Sequence, residues 1–301
     1  MKSIQIKLLL FIGTLLFSCA TKDPFLILYI HKTPNFIIKD TEISYQDRME
    51  STPIVFHSKV YDIISNRVSS VHTIDIYDTE SKIKISSTDL GIGLASALVY
   101  NNELYVMGST NWQTKSPLKI YKSSDLQIFT EVGSLVTVDR NRIFNSSMSH
   151  DNNNFIIAVE EDTDENSKFH SVFYESNNLT EWKRVSTLTF TSYIACPTLR
   201  YLDGMYYVFY LLHDARANIF YTSIARSADY INWEPSNKVV IAPSNQSEGQ
   251  NTSDFDLVEH NNEVIINYAI GNQESIRPKW ADIKKAIYKG SMENFVKEYF
   301  K

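Results

Sequence analysis

The chain has 301 residues, of which 13% are aromatic and 21% charged, and its formal net charge at pH 7 is -6. A chain of this length can bury a core that is stable without disulfide bonds or structural metals. The acidic balance provides no basic patch for a phosphate backbone, so the composition argues against a nucleic-acid partner.

The first predicted element is a secretory signal at residues 1–18. Lys2 and Lys7 precede the apolar run Leu8–Phe17, which is too short to span a bilayer. Cys19 follows directly, and its setting resembles the bacterial lipoprotein signal, in which this cysteine becomes the lipidated first residue of the mature chain. The alternative is an ordinary signal peptide with an incidental cysteine.

The resemblance to lipoproteins also implies a location. Ala20, rather than an aspartate, follows Cys19, and in lipoproteins this favours the outer membrane over retention at the inner one. The protein is therefore expected in the bacterial cell envelope, as a monomer that contacts the membrane through its lipid anchor only.

Residues 19–49 are predicted to form a tether and a strand that closes the fold. Two apolar stretches lie here, Phe25–Ile30 and Phe36–Ile38. A propeller must close its ring, and closure often pairs an N-terminal strand with the last blade. One of these two stretches is expected to provide that strand.

Residues 50–301 contain five apolar, aromatic-rich hairpins at a spacing of about fifty residues. They begin at Glu50, Gly93, Ile143, Tyr193 and Asn251. The turns between their strands are polar, and Asn, Asp and Gly tolerate the positive φ of tight hairpins. Repeats of this length built from four strands are typical of propeller blades. The sequence therefore predicts an all-β fold, a five-bladed β-propeller of four-stranded antiparallel blades.

A second motif recurs between the hairpins and predicts the outer half of each blade. It reads Ser-x-Asp/Asn-x-x-x-aromatic and occupies residues 123–129, 176–182 and 227–233. Trp182 and Trp233 end two of these motifs at equivalent places, so both are expected in the blade cores.

The hairpin topology also predicts where a site lies. The loop leading into the first strand of each hairpin and the loop following the second strand lie at the same face. These loops carry carboxylates, amides, arginines and tryptophans, whereas the opposite turns are mostly Asn, Ser and Gly. A polar pocket at the propeller axis is expected. Cys196 falls in one of these segments, where a buried small hydrophobe fits its apolar surroundings better than a nucleophile.

Four acidic residues of these loops are candidate catalytic groups: Glu50, Glu160, Asp254 and Asp256. Glycoside cleavage needs one acid for the leaving oxygen and a second carboxylate that activates water or attacks carbon. Asp254 and Asp256 are two apart on a predicted strand, so they should point to one side and form a close pair with one raised pKa. Alternatively, this pair caps turns or binds a cation, and Glu160 belongs to a solvated acidic loop.

Other polar and aromatic residues of the same loops are candidate sugar-binding groups. They are Trp112, Asn145, His213, Arg216, Asn272, Gln273 and Trp280. The two tryptophans could offer a flat surface on which a sugar ring stacks.

These residues together resemble a known clan of enzymes. The inner hairpin at Ala195–Leu211, the outer motifs ending in Trp182 and Trp233, and the last repeat at 251–273 are similar to propellers of glycoside hydrolase family 43 and its relatives in families 32, 62 and 117. The resemblance spans nearly the whole mature chain and is greatest to family-43-like lipoproteins. It implies inverting hydrolysis of an oligosaccharide or polysaccharide.

The chain departs from the catalytic triad of family 43. Those enzymes place an aspartate base before proline in the first blade, a second aspartate in the next and a glutamate acid in a later one. Here Glu50 lies three residues before Pro53, and Ser96, Asn145 and Cys196 stand in the following blades. The active site is therefore either relocated to the four acidic residues named above or degenerate.

Two functions fit the sequence, a glycoside hydrolase and a non-catalytic propeller that captures glycan. Two carboxyl groups about 6.5–9.5 Å apart across a pocket would fit an inverting enzyme, whereas isolated carboxylates with exposed aromatics would fit a binder. No cofactor is expected and no metal is assigned to the site, although a structural or site Ca2+ remains open.

Overall fold

The computed structural model describes residues 31–68, 71–137, 141–162, 169–191, 193–244, 246–272 and 281–301. The signal segment, Cys19, the stretch Phe25–Ile30, Gln273 and Trp280 lie outside the described residues. Within the described ranges no helix is long and apolar enough to cross a membrane.

Most of the regular structure is β-strand. The strands are β1 (Ile38–Tyr45), β2 (Glu50–Phe56), β3 (Lys59–Val68), β4 (Val71–Asp78), β5 (Lys84–Thr88), β6 (Gly93–Tyr100), β7 (Glu103–Ser109), β8 (Leu118–Ser123), β9 (Thr130–Leu135), β10 (Arg142–His150), β11 (Phe155–Asp162), β12 (Phe169–Ser176), β13 (Lys183–Thr187), β14 (Ala195–Leu202), β15 (Met205–Asp214), β16 (Ile219–Ser227), β17 (Glu234–Pro235), β18 (Asn251–His260), β19 (Glu263–Gly271) and β20 (Ala281–Lys289). A short helix, α1 (Met292–Lys297), follows the last strand, and 3-10 turns cover Gln246–Glu248 and Glu298–Phe300.

The strands form four-stranded antiparallel groups in sequence order. β2–β5, β6–β9 and β10–β13 are separate four-stranded sheets. β14–β17 and the group of β18, β19, β20 and β1 share one eight-stranded sheet, in which a single parallel pair, Phe220 with Asn251, joins the two groups. The predicted all-β class and four-stranded antiparallel sheets are confirmed.

The first strands of the groups contact one another in a cycle. β2 contacts β6, β6 contacts β10, β10 contacts β14, β14 contacts β18, and β18 contacts β2. The hydrophobic core is divided into clusters that lie between neighbouring groups, such as the one that joins β6–β9 to β10–β13.

The strand β1 lies at the border of the last and first groups. The apolar stretch Phe36–Ile38 leads into it, and β1 pairs antiparallel with β20. Tyr45 at its other end donates its hydroxyl to Asp62 of β3 at 2.6 Å. One N-terminal strand therefore contacts both ends of the repeat array.

The first strands share an irregularity at the end where they begin. The pairing of first with second strand shifts by one residue in four groups, between Gly93 and Ser96, Ile143 and Ser146, Ala195 and Thr198, and Ser253 and Asp256. An extra residue in one strand of a pair is a β-bulge, which turns nearby side chains. Within these bulges Leu94, Cys196 and Asp254 have positive φ, which is uncommon for residues other than glycine.

The outer motif forms the same turn in three groups. The side-chain oxygen of Asp125, Asn178 or Asp229 accepts backbone N–H groups two and three residues later. Trp182 and Trp233 are only partly buried, and Trp233 stacks on Phe173 of the neighbouring group with ring centroids 4.7 Å apart. Both tryptophans pack against the hydrophobic clusters that lie between neighbouring groups, so they belong to the core, as predicted, although they are only partly buried.

Candidate functional site

A pocket opens at the end of the first strands where the bulges lie. All five groups contribute to its lining: Glu50, Ser51 and Thr52 from β2, Leu94, Ala95 and Ser96 from β6, Asn145 and Ser146 from β10, Cys196, Pro197 and Thr198 from β14, and Asp254 and Asp256 from β18. The cavity volume is about 30 Å³, space for about one water molecule.

Asp254 is held in the pocket wall by two hydrogen bonds. Its Oδ1 accepts from the Asn145 amide at 2.6 Å, and its Oδ2 accepts from the Ser253 hydroxyl at 2.5 Å. The positive φ of Asp254 within the bulge sets this orientation. One oxygen of the Asp254 carboxyl therefore binds β10 and the other binds the neighbouring residue of β18.

Glu160 lies beside the pocket and is not part of its lining. It is on β11, is 5% exposed, and its Oε2 accepts the backbone N–H of Cys196 at 2.7 Å. Burial, with the negative charges of Asp254 and Glu50 nearby, raises the pKa of Glu160 to about 8. The solvated-loop alternative is therefore wrong, because the Glu160 carboxyl is buried within β11.

Asp256 is neutralised by a cation. Its carboxylate forms an ion pair with Arg200 and accepts the Thr52 hydroxyl at 2.7 Å. Burial raises the pKa of Asp256, and the Arg200 guanidinium opposes that rise. Asp254 and Asp256 both line the pocket, as predicted, although the strand bulges between Ser253 and Asp256. The charged group that acts on Asp256 is Arg200. The carboxylates that act on Glu160 are Asp254 and Glu50.

Glu50 and Cys196 complete the polar wall. Glu50 is 3% exposed and lines the pocket from β2. Burial and the charges of Asp254 and Glu160 raise the pKa of the Cys196 thiol. Since the thiolate is the nucleophilic form of cysteine, the environment of Cys196 disfavours nucleophilic catalysis.

The predicted sugar-binding residues separate into two sets. Asn145 lies in the pocket, where it binds Asp254. Trp112 is partly buried beside the start of β6 and meets His72 edge to face at 5.1 Å. His213, Arg216 and Asn272 are exposed and lie outside the pocket lining.

Sequence reasoning missed a row of aromatic contacts that starts at Phe144, the residue before Asn145. Phe144 meets Phe169 at 5.0 Å, Phe169 meets Tyr193 at 5.8 Å, and Tyr193 meets Phe220 at 5.9 Å between ring centroids. Burial, with the charges of Cys196, Glu160 and Asp254, raises the pKa of Tyr193. The available signal was sequence proximity, because Phe144 immediately precedes Asn145.

Arg200 was also missed. It lies on β14, and its guanidinium binds the Leu199 and Leu257 carbonyls as well as Asp256. A lone arginine in a hairpin strand gives no sequence signal of an ion pair across two blades. Among the described residues, no group of three or more His, Cys, Asp or Glu side chains is arranged to hold a metal ion.

Comparisons with known proteins identify the fold. No protein-family model and no curated protein sequence matches the chain. Solved structures do match it. The complex of BT0996 with RGII shares 13% identity at a TM-score of 0.61, covering 89% of this protein and 95% of that one. The catalytic domain of the Coprinopsis cinerea GH62 α-L-arabinofuranosidase shares 8% identity at 0.61, covering 85% and 96%.

A thermostable family-43 glycoside hydrolase shares 12% identity at a TM-score of 0.62, with 82% of this protein and 91% of that one covered. The chain thus has the fold of propeller glycoside hydrolases of the family 43 type, and the resemblance inferred from its repeats is confirmed at the level of fold.

Proposed function

We propose that this protein is a five-bladed β-propeller glycoside hydrolase that cleaves an oligosaccharide or polysaccharide at the pocket. The observation that carries the proposal is the presence of Asp254, which accepts the Asn145 amide in the pocket, near the buried carboxyl of Glu160, whose pKa is raised to about 8. Glycoside cleavage needs one carboxyl group that protonates the leaving oxygen and a second that activates water.

The blade count rests on contacts between the first strands. Five groups of four strands, with first strands touching in a closed cycle, fit five blades around one axis. The pocket takes residues from each of these five strands, as a site at a propeller axis would.

In the proposed reaction, Asp254 is the base and Glu160 donates the proton. Glu50 adds negative charge that keeps the proton on Glu160 at neutral pH. Hydrolysis at this site would proceed with inversion, as in family 43. We further propose that a lipid on Cys19 holds the protein in the bacterial cell envelope.

A non-catalytic glycan-binding propeller is the second candidate. One observation favours it: Glu160 does not line the pocket, although it accepts the backbone N–H of Cys196, which does. In that case the acidic residues would bind sugar hydroxyls without cleaving the glycosidic bond.

Hydrolysis of a glycan panel separates the two functions. The panel contains aryl glycosides, among them an α-L-arabinofuranoside, and oligosaccharides that include fragments of RGII, as suggested by the structural neighbours. Asp254→Asn should lower kcat at least about a hundredfold, the lower end for loss of an acid–base group, while substrate binding survives.

The control for Asp254→Asn is Asp203→Asn. Asp203 lies in the tight turn between β14 and β15, at the opposite end of the strands from the pocket, and this variant should keep wild-type activity. If the wild-type protein binds an oligosaccharide, hydrolyses nothing in the panel, and Asp254→Asn binds equally well, the hydrolase proposal gives way to the binding module.

A further inference from the structure

A ring of polar residues lies at the inner end of the pocket. Ser96, Ser146, Thr198 and Asp256 each directly follow the bulge in their first strand, and Thr52 on β2 completes the ring. All five side chains are buried.

Three members of this ring are paired with protein groups. The Thr52 hydroxyl binds Asp256 at 2.7 Å, the Thr198 hydroxyl binds the Phe255 carbonyl at 2.5 Å, and Asp256 binds Arg200. The hydroxyls of Ser96 and Ser146 differ, because neither has a hydrogen-bond partner within the described residues.

The two serines face a cavity of matching size. Ser96 is 8% exposed and Ser146 is 3% exposed, and buried polar groups in native proteins are nearly always bonded to protein or to ordered water. The cavity that they line has a volume of about 30 Å³, which fits about one water molecule with two to four polar partners.

We propose that Ser96 and Ser146 bind the water molecule that attacks the anomeric carbon. This inference rests on the proposed hydrolase function. Ser96, Ser146 and Asp254 line the same cavity of about 30 Å³, so a water molecule bound by the serines would lie close to the base. The serines are positioning residues, because they act on the substrate through the water.

The step balances in atoms and charge. The water oxygen forms a bond to the anomeric carbon as the bond from that carbon to the leaving oxygen breaks. Asp254 takes a proton from the water, and Glu160 gives its proton to the leaving oxygen. No oxidant, reductant or cofactor is consumed.

The position of this ring of polar residues also fits the proposed inversion at the anomeric carbon. The lining residues converge at the inner end, whereas the leaving part of a glycan must extend outward through the mouth. Water bound at the inner end would attack the face opposite to the leaving group, and attack from that face inverts the configuration at the anomeric carbon.

The test uses Ser96→Ala and Ser146→Ala, singly and together, in the full-length protein. Loss of both hydrogen bonds should lower kcat about tenfold or more with KM unchanged, and Ser146→Thr should restore part of the rate because it keeps a hydroxyl. Ser109→Ala is the matched control, since Ser109 is fully buried, also has no partner in the described ranges, and is not part of the lining.

The possible outcomes are distinct. If the wild-type protein is active and the double variant has the same kcat, Ser96 and Ser146 do not position the attacking water. The proposed hydrolase function is unaffected by that result. A rise in KM alone would assign the serines to a sugar hydroxyl, which also overturns the proposal. If the wild-type protein hydrolyses no glycan, both the hydrolase function and the role of the two serines in binding water are wrong.

Discussion

Three consecutive acidic residues on β11 show how environment decides the role of a side chain. All three are buried. Glu161 accepts the Tyr174 hydroxyl and the Asn141 amide, and Asp162 pairs with Arg142. Glu160 instead accepts one backbone N–H and lies near other carboxylates. The three residues look alike in the local sequence, but their partners differ, and burial near other carboxylates raises the pKa of Glu160 to about 8.

The raised pKa of Glu160 predicts how the stability of the protein depends on pH. The folded state holds this proton up to a pKa of about 8, whereas an unfolded glutamate loses it near 4.5. The stabilisation is therefore complete below pH 4.5 and is lost as the pH rises towards 8. Each pKa unit corresponds to about 1.4 kcal/mol, so the effect is on the order of a few kcal/mol.

Glu160→Gln should remove this pH-dependent part of the unfolding free energy, because glutamine is neutral at every pH. Urea denaturation between pH 4.5 and 8 would show a flatter profile of unfolding free energy for the variant than for the wild type. Glu181→Gln, an equivalent change at an exposed turn position, is the control and should reproduce the wild-type profile. Parallel profiles for Glu160→Gln and wild type would show that Glu160 is ionised in the folded protein.

At the scale of elements, the border between the last and first groups differs from the others. Hydrophobic clusters join the neighbouring groups along the chain. Between the last group and the first, a buried polar network is present. Asp62 of β3 binds Lys285 of β20, the Asn267 amide of β19 and the Tyr45 hydroxyl of β1. This buried network of Asp62 and its three partners, called the clasp below, joins β3 to three strands of the last group.

Asp62→Asn should weaken this clasp strongly. The change leaves the Lys285 ammonium buried without its carboxylate, and breaking a buried ion pair costs about 3–5 kcal/mol. Replacing both partners, as Asp62→Leu with Lys285→Met, should recover much of that loss, because no buried charge remains. Chemical denaturation of the three proteins measures the effect.

Glu131→Gln is the control for the clasp. It breaks an exposed ion pair with Lys119 and should change stability little, as surface pairs usually do. An Asp62→Asn protein that is as stable as Glu131→Gln would mean that the clasp contributes nothing to closing the array.

At the scale of the whole molecule, most of the fold could be predicted from the sequence. The repeat spacing and polar turns located the hairpins, and positive φ at turn residues such as Asn101, Asn102 and Asp203 agrees with the turn chemistry. The outer motif was recognisable because each copy builds the same side-chain-to-backbone turn. These features are local, so each repeat carries its own signal.

The site could be predicted only in part. Topology brings the start of every first strand to one end, which is why Asn145, Glu50 and Asp254 were candidates. The bulges at Leu94, Cys196 and Asp254 interrupt the two-residue alternation of the strands, and local sequence does not show that Asp256 is paired with Arg200. The burial of Glu160 and the pairing of Arg200 with Asp256 depend on neighbouring blades, which local sequence does not specify.

The pocket end of the molecule is also where the described residues start. His31 binds Asp214 at 2.8 Å. Asp214 is the last residue of β15, and this end of β15 lies next to the start of β14, where Ala195 pairs with Leu211. The segment from Cys19 to His31 can span at most about 40 Å, given the reach of an extended backbone. A lipid on Cys19 would therefore keep the pocket close to the membrane.

Cys19→Ala tests this placement. Loss of the thiol that would carry the lipid should release the protein into the soluble fraction or block processing of the precursor, while the melting temperature of the folded domain stays unchanged. Cys196→Ala is the matched control, because Cys196 is the other cysteine of the protein and lies in the pocket, so this variant should remain with the membrane. Fractionation and the mass of the mature protein give the result, and membrane association of Cys19→Ala equal to that of Cys196→Ala would refute the lipid anchor.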